Sequence, residues 1–263
     1  ICLGNDKLFI GDGYKSLFVT YNSPNYQFLN YNFQFKNFSY SVINTIMISS
    51  FPNHPFESRY FNKYVNYYIA SYKLNKLNVS FIESVIYQTK DSLNSRYETK
   101  AINPIILSNT LLNTSNNNDN ILNGLNVSYQ ATDKHLFYMQ TNFGILNNSK
   151  GKAFQFGYKQ TEYFKNIYLL AEVNMADEHI YNFKDSKQAF YNYAQPIANN
   201  FYNNFFETDI ALIYNYKKLL FDYQMNYIKI KDKSSNHILI NSLSLRFIIN
   251  KFNTRPDIQL LIH

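Results

Sequence analysis

No tryptophan occurs in these 263 residues, and cysteine occurs once, at Cys2. One thiol cannot close an internal disulfide, so no disulfide framework holds the chain. Seven glycines and six prolines exclude collagen-like and proline-rich classes. No apolar run approaches the ~18 residues that a membrane helix needs, so a membrane crossing, if there is one, must be made with strands. A phosphate loop, a paired-cysteine zinc spacing and a GxSxG elbow are all missing. The five histidines (His54, His135, His179, His237 and His263) stand far apart, with no carboxylate at ligand spacing, so no metal is expected. No two carboxylates can be set at a separation that would support a glycosidase. The chain therefore reads as non-enzymatic and free of cofactors. It opens on Ile1 with no leader-like stretch in view, which suggests a processed chain or a piece.

Aromatic residues are abundant, with 25 tyrosines and 23 phenylalanines making up 18% of the chain. The net charge of +7 comes from scattered lysines, with Lys217–Lys218 and Lys231–Lys233 among those that sit close together. No basic stripe forms, so nucleic acid is not an expected partner.

Along the chain the dominant signal is alternation. Tyr31, Phe33 and Phe35 alternate with Asn30, Asn32 and Gln34. Phe137, Met139, Thr141 and Phe143 alternate with Tyr138, Gln140 and Asn142, and Phe221, Tyr223, Met225 and Tyr227 alternate with Asp222, Gln224 and Asn226. Period two is the mark of strands with one apolar and one polar face. The pattern predicts strands near 28–35, 38–49, 64–74, 77–87, 125–131, 137–143, 154–159, 167–175, 208–216, 219–230, 237–249 and 258–263. Short links such as Lys36-Asn37 and Asn75-Lys76 read as hairpins. Two long irregular connections, 88–119 and 176–206, interrupt the series, and connections of that length are usually functional or mobile.

About twelve strands, mostly nine to twelve residues long, outrun the five or six residues usual in soluble sheets and match the ~9–11 of a tilted membrane strand. The fold expected is all-β: an antiparallel transmembrane β-barrel of consecutive hairpins, one domain over 1–263, with lipid outside and a wet, polar lumen inside. A soluble β-rich carbohydrate-binding module and an outer-membrane pore are the alternatives.

Three places stand out chemically. Asp12, between Gly11 and Gly13, could close an Asx turn or hold a cation, and the turn would lead into a strand pair. Glu83 is an acid in the apolar run FIESVIY and shares parity with Phe81 and Val85. Alternation would turn it toward lipid, where a charge is costly. A bulge or reversed faces would instead send it to the lumen, paired with Lys73 or Arg96. Tyr181–Tyr202 crowds tyrosine with asparagine, the combination that stacks on sugar rings and forks hydrogen bonds to hydroxyls, although a packed loop would need the same residues. Glu172 and Asp222 read as ordinary lumen residues.

Read together, several blocks resemble a known family. Phe9-Ile10-Gly11-Asp12-Gly13-Tyr14-Lys15-Ser16-Leu17, continuing to Ser23-Pro24-Asn25-Tyr26-Gln27-Phe28-Leu29, is similar to a block of the Bacteroidota capsule-assembly (Wzi-like) outer-membrane proteins, a group that includes gliding-motility proteins of the RemB type. Phe81–Tyr87, Ile102-Asn103-Pro104-Ile105-Ile106, Asp119–Leu125 and Tyr191–Ala198 resemble further blocks in the same order, so the likeness covers about residues 8–207. It departs at Lys15, where the family has arginine. It departs also at Tyr191 or Asn192 and at Asn199, where the family has histidines, and the block near Asn147–Ala153 is eroded. The resemblance implies an outer-membrane barrel that organises surface polysaccharide or serves gliding motility. Its partners would be outer-membrane lipid, a surface polysaccharide and other cell-envelope proteins. Asp12, Tyr14, Lys15, Glu83, Asn103, Tyr191, Tyr193 and Gln195 are the candidate ligand contacts. Barrels of that family are larger than the strands counted here, which leaves open a barrel lacking N-terminal strands.

Overall fold

The structure, a computed structural model, describes residues 1–21, 23–50, 60–87, 103–112, 119–146, 149–163, 166–181, 189–193, 195–198, 204–216, 219–230, 236–247 and 258–262. It is built on one antiparallel sheet of thirteen strands that follow one another in chain order, apart from one short hairpin. The strands are β1 (Cys2–Asp6), β2 (Tyr26–Phe35), β3 (Phe38–Ser50), β4 (Tyr60–Leu74), β5 (Leu77–Ile86), β6 (Asn120–Thr132), β7 (His135–Leu146), β8 (Ser149–Tyr163) and β9 (Ile167–Ala176). After the hairpin β10 (Tyr191–Asn192) and β11 (Gln195–Pro196), the sheet resumes with β12 (Phe205–Tyr216), β13 (Leu219–Ile230), β14 (Asn236–Phe247) and β15 (Ile258–Ile262). The only helix among the described residues, α1, is the single turn Ser108–Leu112. β1 and β15 form the two edges, and no ladder joins them among the described residues.

The two faces follow from the register. Residues directly opposite one another share a face, so a rung can be traced across the sheet. One inner rung runs Ser80, Asn126, Gln140, Gln155, Asn174 and Glu207. The adjacent rung, one residue along on each strand, is an outer one: it carries Leu125 and Thr141 and continues to Phe154 on β8. Phe33, Phe137, Met139, Phe143, Phe156, Phe221 and Leu243 all point outward and are exposed. Apolar outside and polar inside is the inverse of a soluble sheet protein, and it is the pattern of a membrane barrel. The register slips at Gln130/Thr132 and at Gln160/Tyr163, both beside short turns.

With no tryptophan, the aromatic girdles use tyrosine with histidine. His135 Nδ1 lies 2.7 Å from the Tyr158 hydroxyl near the short-turn end, and His237 Nδ1 lies 2.8 Å from the Tyr227 hydroxyl near the opposite end.

Three expectations need correction. β1 went unread, because CLGND carries neither alternation nor β-branched residues; its strand character comes from pairing with Tyr26–Asn30. Residues 8–21 and 23–25 do not form a strand pair: apart from one bridge, Ile10 to Val19, they leave the sheet. The lumen is also not simply wet. Ile10, Leu17, Phe18 and Val19 form one buried cluster with inward residues of the wall, among them Met47, Val65, Tyr67, Ile86, Leu122 and Phe205, and with Ile180, Tyr181, Phe190 and Ile197. The sheet wraps around residues 8–21, 180–181, 189–193 and 195–198, which fill it at the end where the long connections lie. Residues 113–118, which hold most of the Asn-rich run, lie outside the described residues.

Candidate functional site

The plug begins with a turn that only glycine allows. Gly11 has φ +136°, and a Cβ there would lie 2.6 Å from the amide of Gln140. Gln140, on β7, then holds both arms of the plug, accepting from Leu17 N at 2.6 Å and donating to Ile10 O at 3.2 Å. Asn142 and Tyr181 donate to Leu17 O at 3.0 and 2.8 Å, and Gln155 donates to Lys15 O at 2.8 Å. The inner amides of the wall therefore serve as hydrogen-bond partners for plug backbone that would otherwise be buried unpaired.

Asp12 neither closes an Asx turn nor faces other metal ligands. Its carboxylate accepts from Asn126 on β6 at 2.6 Å, and no cluster of metal-ligating side chains occurs among the described residues. Lys159 donates to the carbonyls of Asp12 and Gly13 at 2.6 and 2.9 Å.

Lys15 is the electrostatic centre. Its ammonium is buried against the carboxylates of Glu207 and, at 3.0 Å, Asp209, both on β12. Glu172 on β9 accepts from Tyr14 N at 2.7 Å, Lys15 N at 3.1 Å and the Tyr138 hydroxyl at 2.6 Å. Asn174 donates to Glu172 at 2.9 Å, and Asn226 donates to Glu207 at 2.9 Å. Burial lowers the Lys15 pKa, but the Glu207 and Asp209 carboxylates outweigh it and the net shift is upward. Burial likewise raises the Tyr14 phenol. An arginine at this position would bring forked donors, whereas lysine makes a point contact between two acids.

Sequence reading passed over Glu207 and Asp209. Their signal was available: two acids two residues apart share a strand face, but a strand started at Thr208 leaves Glu207 outside it. Glu172 is no ordinary lumen residue, since it anchors the plug tip.

Between the plug and the inner faces of β9, β12 and β13 lies a cavity of about 340 Å³. Tyr14 and Tyr21, 48% and 57% exposed, face it together with Thr20, Asp209, Gln224 and Asn226. Tyr21 stacks on Phe9 at 4.9 Å between ring centroids, which fixes its plane. Two half-exposed aromatic rings opposite amide side chains can hold a polyhydroxylated ring by stacking and by donating and accepting together.

The later candidates fall elsewhere. The hairpin β10–β11 caps the inner side of β3: Ile48 N donates to Asn192 Oδ1 at 3.0 Å, and Tyr193 N donates to Ile48 O at 2.8 Å. Beneath it, buried Lys63 donates to the carbonyls of Ala189, at 2.7 Å, and Tyr191. Tyr191 thus serves through its backbone. Tyr193 and Gln195 are exposed, and Tyr193 lines a separate cavity of about 500 Å³ with Asn25, Gln27 and Asn62.

Glu83 and Asn103 are not in the lumen at all. The ladders on both sides of β5 run without a bulge, and the faces are not reversed. Glu83 therefore points outward, as alternation alone would place it, and is nevertheless fully buried. Lys73 is not its partner, and Arg96 lies outside the described residues. Leu107 N, Thr110 N and the Thr110 hydroxyl donate to its carboxylate at 2.7, 3.1 and 2.6 Å.

A long antiparallel meander, apolar outside and filled inside by its own loops, defines the class: the fold is that of an outer-membrane β-barrel. No family model and no curated protein matches the chain. Among solved structures it is similar to Wzi, an outer-membrane protein involved in group 1 capsule assembly in Escherichia coli and a carbohydrate-binding β-barrel, with a TM-score of 0.66 at 11% identity. The match covers 95% of this chain and 60% of Wzi, so the chain spans about three fifths of that protein's length. The CymD monoaromatic hydrocarbon channel gives a TM-score of 0.40 at 12% identity, over 86% of this chain and 74% of that one.

Proposed function

We propose that the protein is a non-enzymatic barrel of the outer membrane that binds an exported polysaccharide and takes part in assembling or attaching it at the cell surface. The cavity between the plug and β12–β13 carries this reading, because Tyr14, Tyr21, Gln224 and Asn226 offer stacking surfaces and paired amide chemistry in one place. The fold shared with Wzi, itself a carbohydrate-binding barrel, supports it. Service in gliding motility and docking of other envelope proteins rest on the sequence resemblance and are the finer parts of the proposal. A filled lumen speaks against a simple pore.

The experiment is binding of the host's purified surface polysaccharide to the detergent-solubilised protein. We expect saturable binding that falls about tenfold or more in Tyr21→Ala, the loss of roughly one good stacking contact and its neighbours. Heat-modifiable migration on gels reports that the barrel is intact. Absence of glycan binding by an intact barrel would sink the reading, as would fractionation with soluble proteins. Deleting the gene and scoring capsule retention beside colony spreading separates the polysaccharide role from the motility role.

A further inference from the structure

Glu83 sets a problem that the lumen does not solve: it is an acid on the outer face of the sheet, where the fold meets lipid. Its rung runs Tyr31, Val42, Tyr68, Glu83, Asn123, Phe143 and Lys152. Three outer rungs lie between it and the short turns, led on β5 by Phe81, Val79 and Leu77. Glu83 is six residues beyond Leu77. That is about 20 Å along a strand and about 15 Å of height at the usual barrel tilt, inside an apolar band ~25 Å tall.

What covers Glu83 is residues 103–112, folded against the outside of β3–β6. Ile106 packs on a second buried cluster, Val42, Tyr68, Val85, Tyr87 and Ile121, all on the outer face or just past its end. The Tyr68 hydroxyl donates to Asn103 O at 3.0 Å, and the Tyr40 hydroxyl donates to Pro104 O.

Five backbone N–H groups of this segment have internal acceptors. Lipid offers no water, so each exposed N–H needs an internal acceptor. Pro104 has no N–H. Ile105 N donates to Asn103 Oδ1 at 3.1 Å, Ser108 N to Ile105 O at 3.3 Å, and Leu111 N to Leu107 O at 2.9 Å. Leu107 N and Thr110 N, two that a single helical turn cannot serve, donate to Glu83. With the polar groups turned to the sheet, the outward side presents Ile105 and Leu111, 63% and 75% exposed.

We propose that residues 103–112 form a lipid-facing lip. The segment lies on the outside of the barrel within the hydrocarbon band, Ile105 and Leu111 contact the acyl chains of the outer leaflet, and Glu83 holds it there by accepting its orphan N–H groups. The occupant of this apolar face is lipid because the face is continuous with the exposed outer belt, with Tyr31 and Phe143 flanking it on the same rung. This inference rests on the membrane placement of the barrel and is independent of polysaccharide binding.

The test uses this chain with Cys2→Ser, since Cys2 is the one thiol in the sequence and is exposed. Nitroxide labels go on Leu111→Cys, Met139→Cys and Tyr193→Cys in turn, and the protein is reconstituted in phospholipid vesicles. Collision with molecular oxygen and with a water-soluble nickel chelate is then read at each. We expect the oxygen-to-nickel ratio at 111 to match that at 139 and to exceed that at 193 by about tenfold. A ratio at 111 like that at 193, with 139 lipid-exposed, overturns the lip alone. Shielding of 111 from both quenchers means a protein partner or a second copy covers the face and also overturns it. Water access at 139 overturns the membrane placement itself. In a Glu83→Ala background the label at 111 should shift toward water while that at 139 stays unchanged. No shift would remove Glu83 from the role assigned to it.

Discussion

At the residue scale, the plug turns on the Lys15 ammonium between Glu207 and Asp209. Removing one member of a buried pair leaves the other charges desolvated and alone, which typically costs about 3–5 kcal/mol. Lys15→Met should therefore lower the stability of the folded barrel by that order in urea titration of the detergent-solubilised protein. A double variant that also carries Glu207→Gln and Asp209→Asn should recover part of the loss. A single variant as stable as the parent would show that the acids are hydrated in place. Because the folded pKa of Lys15 lies above the ordinary lysine value of 10.5, its contribution is whole below that value and is lost only as pH rises through the raised one. Gly157 is a second such point. A Cβ there would meet the Tyr138 ring at 2.1 Å, and Tyr138 is the residue that donates to Glu172. Gly157→Val should cost about 1–3 kcal/mol by overpacking and should loosen the plug tip, seen as faster proteolysis between residues 8 and 21 with the strands still protected.

At the element scale, the strands were legible and the connections were not. Alternation fixes a strand's two faces locally, so β13 falls where the pattern of Phe221 to Tyr227 puts it. What a connection packs against depends on residues more than a hundred positions away: Asp12 meets Asn126, and Tyr14 meets Glu172. Nothing in the period of a short segment carries that. Glu83 shows the same limit from the other side. Its outward parity was readable, but the segment that relieves its cost arrives from across a connection and reaches it through backbone N–H groups, which no residue type announces. The face assignment itself predicts an asymmetry. Leu125→Arg, outward in the middle of the belt, should cost about 2–4 kcal/mol in folding into vesicles. Ser242→Arg, inward on β14 opposite Gln224, should cost far less. Equal costs would mean that the outer face is not the lipid face.

At the scale of the whole molecule, the wall and its filling are two systems with different chemistry. Outward residues are mostly apolar, and many are interchangeable aromatics. Inward residues include amides and acids that bond the plug or a neighbouring strand, as Gln140, Gln155 and Glu172 do. An open lumen would not need that specificity, since water would satisfy the same groups. The filling is therefore held by the wall's polar face as firmly as the cluster around Leu17, Phe18 and Tyr67 holds it by burial. It follows that the intact protein should not conduct. In planar bilayers the full-length barrel should show no discrete steps, while deletion of residues 9–20, which removes both Lys15 and the apolar plug core, should produce them if the strands still close around the space. Heat-modifiable migration distinguishes an open barrel from an unfolded one. Steps of equal size and frequency in both forms would mean that the plug does not block the path through the barrel. The cavity beside Tyr14 and Tyr21 would then belong to a conduit rather than to a binding site.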